Sequence, residues 1–184
     1  NVGVIVMNVN SVSFISEYIK TGMPLIKKRV TVDGPSVKRP ANVEALIGTP
    51  ISEVFNFCGG FGIVPKKILM GGPMMGIAQF TLDTAVVKHT NALLAFDETK
   101  AVLPKEQDCI RCGRCVKACP MNLLPLYLNS NSIKENIEEL NKYHVMDCIE
   151  CGSCSYVCPA KINLVQSIRL GKTQVKQAAA KGGN

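Results

Sequence analysis

Apolar and polar positions follow two rhythms along this chain, one strand-like and one helical. Residues 2–7, VGVIVM, form a continuous apolar run of the kind a buried strand shows. A polar NVNS follows, after which Val12, Ile15 and Ile19 recur on one helical face. RVTV at 29–32 predicts a strand, DGP at 33–35 a turn and NVEALIGTP an extended return. Thr49 is placed to cap a short helix with Pro50 at its first position, burying Ile51, Val54 and Phe55 and ending at Gly59 or Gly60. KKILMGGPMMG reads as a strand entering a tight glycine turn, and AVVKHTNALLAF at 85–96 as one or two more strands. Short strands around one helix make residues 21–98 a small β-grasp-like domain. A strand pattern starting at residue 2 with no earlier partner reads as the cut end of a larger α/β unit, so residues 1–20 are expected to be the remnant of a missing N-terminal domain.

The helical rhythm takes over in the second half. DETKAVLPKEQD is a charged linker, and beyond it Ser132 and Glu135 form a capping-box pattern with Ile133, Ile137 and Leu140 on one face. Another helix is predicted after Pro159, with Leu164, Val165 and Ile168 turned inward. Large apolar residues cease after Val175, so 176–184 is expected to be a flexible basic tail. The fold class is therefore α+β: a β-grasp-like domain, then an α-helical domain over 99–175.

Composition narrows the chemistry. The 184 residues are 47% hydrophobic and 19% charged, a globular balance. There is no secretion-signal pattern, and eight of the nine cysteines lie beyond residue 108, which argues against an oxidised disulfide framework. No apolar run approaches the roughly 18 residues of a membrane span. The formal charge of +7 is spread along the chain without a nucleic-acid-binding motif. Two bound iron-sulfur clusters would lower it by about 4.

The decisive feature is an internal repeat. CIRCGRCVKACPMNL from 109 recurs as CIECGSCSYVCPAKI from 148, with the same cysteine spacing, isoleucine after the first cysteine, glycine after the second and proline after the fourth. Each block is C-x2-C-x2-C-x3-C-P, the bacterial ferredoxin pattern for 4Fe-4S clusters. Gly113 and Gly152 clear space for backbone N–H groups to approach cluster sulfur, and Ile110 and Ile149 are placed to shield the clusters from water. In this pattern the fourth cysteine serves the other cluster. Cys109, Cys112, Cys115 and Cys158 are thus expected to hold one cluster, and Cys148, Cys151, Cys154 and Cys119 the second. A zinc site would leave cysteines unused in each block. A catalytic thiol would need a base and a reason for its seven companions. CGGFG at 58–62 and GGPMMG at 71–76 match no nucleotide-binding fingerprint and read as turns. Cys58 reads as a buried small apolar residue, and His89 and His144 as structural or surface residues.

TGMPLIKKRVTVDG, KILMGGPMMG, VVKHTNALLAF and the two cysteine blocks, in this order, resemble the C subunit of the Rnf/Rsx ion-translocating electron-transport complex over essentially the whole chain. The resemblance implies a soluble-ligand-binding β-grasp (SLBB) domain followed by a helical ferredoxin domain. It also implies a peripheral position on the cytoplasmic face of the bacterial membrane and a role as electron relay, with no catalytic residue. The partners it implies are the other subunits of the complex and a soluble ferredoxin. The family reaction is electron transfer between ferredoxin and NAD, coupled to sodium or proton translocation. FMN and NADH bind in a larger N-terminal region of the family, and its glycine-rich nucleotide loop is absent here. Asn8, in MNVNS, matches an FMN-contacting asparagine but is not enough to build a flavin site. Two other readings stand beside this one: a cobalamin reductase of similar domain make-up, and a docking scaffold in which the clusters are structural staples.

Overall fold

Alternating side chains in two neighbouring strands build the floor of the first half of the molecule. In β1 (Lys27–Asp33) Val30 and Val32 point into the core while Arg29 and Thr31 face outward, and in β5 (Ala92–Phe96) Leu93 and Ala95 do the same. These two strands pair in parallel, with Val32 opposite Leu93. β2 (Ala41–Leu46) pairs antiparallel with β1, while β3 (Lys67–Met70) pairs antiparallel with both β5 and β4 (Ile77–Gln79). The five-stranded mixed sheet thus runs β2-β1-β5-β3-β4. Helix α2 (Ile51–Phe57) buries Ile51, Val54 and Phe55 in the same core as Val30, Val32, Leu93 and Ala95. Gly34 makes the turn after β1 feasible: its φ is +119°, and a Cβ there would run into the Ala95 carbonyl.

The computed structural model describes residues 2–182 and divides the chain into two compact units, one through residue 102 and one from 103 onward. The first unit is the β-grasp-like sheet with α1 (Val9–Thr21) before it and α3 (Glu98–Ala101) after it. The second is helical: α4 (Arg114–Lys117), α5 (Pro125–Ile133), α6 (Ile137–Lys142), a 3-10 turn at Val145–Asp147, α7 (Ser153–Tyr156) and α8 (Leu164–Gly182). Helix α8 packs Ile168 against Leu128 of α5 and Leu140 of α6. The α+β class and the order of its two parts agree with the sequence reading.

Several local expectations are corrected. Residues 2–7 form no strand; the run is exposed and pairs with nothing among the described residues. The α2 cap is Pro50 rather than Thr49, and no side chain bonds the helix start. The free N–H groups of Ile51 and Ser52 instead donate to the carbonyls of Thr84 and Leu82. The capping box at 132 is not used either. Ser132 is fully buried in the last turn of α5, its hydroxyl donating to the Leu128 carbonyl at 2.7 Å. Glu135 takes a left-handed φ of 54° that breaks the helix, and Asn136 caps α6 by accepting from the Glu139 N–H. Helix α8 continues through 182, where a flexible tail from 176 was expected. Three consecutive alanines, the best helix formers, sustain it, and Gly183 and Asn184 lie outside the described residues.

Candidate metal centres

Each cysteine block folds around the same set of backbone angles. Arg111 and Glu150 take φ of 53° and 56°, Gly113 and Gly152 72° and 84°, and Asn122 and Lys161 54° and 57°. Members of each pair are separated by the same 39 positions that separate Cys109 from Cys148. Four non-glycine residues in the left-handed region at matched places show that the loop itself demands that turn. Its effect is to aim N–H groups at sulfur. Arg111 N–H donates to Cys109 Sγ and Glu150 N–H to Cys148 Sγ, each at 3.4 Å. The short helices α4 and α7 then start at Gly113 and Gly152, carry the third cysteine, and release the chain toward the fourth.

The thiols gather around two small cavities. Cys109, Cys112, Cys115 and Cys158 line the first, and Cys148, Cys151, Cys154 and Cys119 the second. The linings interconvert under the 39-residue offset: Ile162, Leu164 and Leu126 of the first correspond to Leu123, Pro125 and Val165 of the second. Each block thus supplies three sulfurs to its own cavity and one to the other. Among the described residues no three His, Cys, Asp or Glu side chains converge as the shell of a single ion. Four soft sulfur donors around an apolar cavity, with backbone N–H groups directed at sulfur, fit a polynuclear iron-sulfur cluster. Leu123 N–H, 3.4 Å from Cys119 Sγ, adds a donor to the crossing ligand of the second cavity.

The buried and the more open thiols differ in acidity. Burial pushes the Cys115 and Cys148 thiols up and Cys154 to about 11, whereas the Ser153 hydroxyl and N–H draw Cys151 down. Cys115 and Cys158 of the first cavity and Cys154 of the second share one apolar cluster, so the two linings pack against each other.

Beside the second cavity lies an ion triad that the sequence reading did not find. The Glu150 carboxylate accepts from Lys172 Nζ at 2.7 Å and Arg169 Nε at 2.8 Å, and Lys172 also donates to the Cys148 carbonyl at 2.9 Å. Lys172, chiefly, and Arg169 hold that carboxyl below its ordinary range. The signal was present in the spacing of Arg169 and Lys172 on one face of α8. Ile110 and Ile149 border their cavities but remain 69% and 52% exposed, so they stand at the mouths without closing them. Asn8 caps α1 through its Oδ1, which accepts from Asn10 N–H at 2.9 Å. Cys58 is buried, and burial raises its thiol. His89 and His144 are exposed. In GGPMMG, a Cβ on Gly76 would collide with the Gly72 carbonyl, which accounts for the glycine there.

Comparison with known proteins matches both units. Residues 29–78 fit the SLBB domain family and residues 108–162 the 4Fe-4S dicluster domain family. The C subunit of the Na(+)-translocating ferredoxin:NAD(+) oxidoreductase complex of Acetobacterium woodii is 43% identical over 98% of this chain and 41% of its own length. The C subunit of the proton-translocating ferredoxin:NAD(+) oxidoreductase complex of Clostridium ljungdahlii is 44% identical over 97% of the chain and 39% of its own length. The C subunit of the ion-translocating oxidoreductase complex of Rhodobacter capsulatus is 45% identical over 96% and 34% respectively. The chain spans about two fifths or less of the length of these relatives.

Proposed function

We propose that this chain, an SLBB domain followed by a 4Fe-4S dicluster domain and homologous to part of the C subunit of ion-translocating oxidoreductase complexes, relays electrons within such a complex. The complex would exchange electrons between ferredoxin and NAD and couple that exchange to ion translocation. The observation that carries the reading is the pair of four-sulfur cavities whose linings pack against each other. A 4Fe-4S cluster in each would supply one-electron redox chemistry.

The chain's own residues hold the thiolates, direct N–H groups at sulfur and keep most of each cavity wall apolar. Cys109, Cys112, Cys115 and Cys158 are assigned to one centre, and Cys148, Cys151, Cys154 and Cys119 to the other. Crossed ligation keeps the two centres at a fixed short separation, as a relay requires. The NADH and FMN steps are assigned elsewhere, because Asn8 uses its side-chain oxygen as a helix cap. No described helix is long and apolar enough to cross a membrane. The proposal places the chain peripherally, on the cytoplasmic face, held by other subunits, as the resemblance to the C subunit implies.

The test is anaerobic purification, iron and acid-labile sulfide analysis, and EPR during a redox titration. About eight irons and eight sulfides per chain, with two magnetically coupled reducible centres, are expected. Zinc without sulfide, or clusters that accept no electron across the accessible range, would overturn the reading.

A further inference from the structure

The two cysteine blocks share a backbone but not a charge. Under the 39-residue offset Arg111 corresponds to Glu150, Arg114 to Ser153 and Lys117 to Tyr156. Glu150 is turned toward α8 and neutralised there by Arg169 and Lys172. Arg111 instead lines the first cavity, and Arg111, Arg114 and Lys117 are all exposed. Among the described residues, no ion pair or side-chain hydrogen bond engages any of these three cations. The nearest acidic residues in sequence, Glu106 and Asp108, precede the block and leave the turn from 111 to 117 wholly basic.

Exposure of the sulfurs follows the same asymmetry. Cys109 and Cys112 are exposed and Cys115 half-buried, whereas their counterparts Cys148 and Cys151 are half-buried and Cys154 buried; only the crossing cysteines reverse the order, Cys158 being buried and Cys119 half-buried. The cavity with the more exposed sulfurs is therefore the one lined by Arg111, with Arg114 and Lys117 exposed on the short helix that carries Cys115. Guanidinium groups free of internal partners are suited to bidentate pairing with carboxylates. A cationic rim also raises the encounter rate with an anionic surface and orients it.

We propose that the rim of Arg111, Arg114 and Lys117 is the docking surface for a protein electron carrier whose own redox centre is ringed by carboxylates. The first cavity is then the entry or exit port of the relay, and the second is an interior station. The inference rests on the relay reading above. One electron passes per encounter without bond making or breaking: the carrier is oxidised as this chain is reduced, or the reverse.

The test uses the full cluster-loaded chain and, as probe, an acidic two-cluster ferredoxin. Calorimetric binding of the oxidised ferredoxin is one readout, and the second-order rate of electron transfer from the reduced ferredoxin is another. Reversal of the rim, R111E/R114E/K117E, is expected to weaken binding and slow transfer by about 10-fold or more at low salt, with the deficit closing as salt rises. The same charge change in the first unit, K38E/K66E/K88E, is expected to leave both within about twofold, since it alters the net charge equally without touching the cysteine block that carries the three cations. Iron content and reduction by a neutral photoreduced deazaflavin report separately on the centres. If the neutral donor cannot reduce the wild-type chain, the relay reading falls and the port with it. If the neutral donor works but rim and control reversals act alike on the ferredoxin, only the port is overturned.

Discussion

Gly171 fixes how closely α8 can lie on α5, and replacing it with alanine tests the packing of the whole helical unit. The residue is buried, and an added Cβ would fall inside 3.0 Å of Ser132 Oγ, 3.2 Å from Leu140 Cδ2 and 3.3 Å from Ser132 Cβ. Ser132 cannot easily yield, because it is itself fully buried and its hydroxyl is bonded to the Leu128 carbonyl. Overpacking of this kind costs about 1–3 kcal/mol. Displacing the hydroxyl from its acceptor adds about 1–3 kcal/mol. Against this, alanine in a helix interior gains about 1 kcal/mol over glycine. The sterics therefore win, and Gly171→Ala should destabilise the unit by about 2–3 kcal/mol.

Cluster loss makes equilibrium unfolding a poor measure of this effect, so the assay is native-state hydrogen exchange of the α8 peptide in the loaded chain. A loss of about 2 kcal/mol corresponds to roughly 30-fold faster exchange. Ser132→Ala removes the clashing oxygen and leaves two close carbon contacts, 3.2 Å to Leu140 Cδ2 and 3.3 Å to the Cβ of residue 132, which a shift of a few tenths of an ångström relieves. The double variant S132A/G171A should therefore recover most of the protection, a strong non-additive coupling. Protection in Gly171→Ala equal to or above wild type, or simple additivity in the double variant, would refute the close α5–α8 crossing.

Three further outcomes are expected. Cys119→Ala should remove the centre of the second block and Cys158→Ala that of the first, read by iron analysis and EPR; loss within the mutated block in both cases would overturn the crossed ligation. Gly34→Ala should unfold the β-grasp unit through its collision with the Ala95 carbonyl while the second unit keeps its iron, measured by hydrogen exchange of β1 and β5 peptides against cluster absorbance; simultaneous loss of both would show that the units do not fold independently. Glu150→Gln should weaken the attachment of α8 by about 1 kcal/mol at pH 7. Because the Glu150 carboxyl is held low in the folded chain, its contribution is complete above the unfolded value near 4.3 and is lost only as pH falls through the lower folded value. The deficit, read as α8 exchange, should therefore stay constant from pH 6 to 8, and a deficit that varies across that window would contradict the assignment.

The parts of this molecule that were legible in the sequence are those where the ligand dictates spacing. A turn that must direct three sulfurs inward constrains Cys109 to Cys115 residue by residue, and the same constraint repeats at Cys148 to Cys154. The alternating β1 and β5 residues were equally readable, because period-two burial is a local property of a strand. What could not be read depends on partners distant in sequence. SIKE has every local mark of a helix start, yet Ser132 is buried opposite Gly171, and that contact places the helix break at Glu135 instead. Thr49 is a good cap in isolation, but the carbonyls of Leu82 and Thr84 already occupy the donors it would have served. The apolar run at 2–7 has strand composition without a neighbouring edge, and composition alone makes no strand.

That contrast also accounts for the relation between the two blocks. The repeat fixes sulfur positions and backbone angles so strictly that the two cavities interconvert under one offset, which leaves the non-ligating positions free to diverge. They have diverged where the backbone is indifferent and the surroundings are not: Arg111 lies at an open mouth, and Glu150 is tied beneath α8. A duplicated metal loop of this kind carries its chemistry in the cysteines and its direction in the residues between them. The charges at 111 and 150 are therefore the place to look for the difference between a centre that meets another protein and one that passes the electron inward.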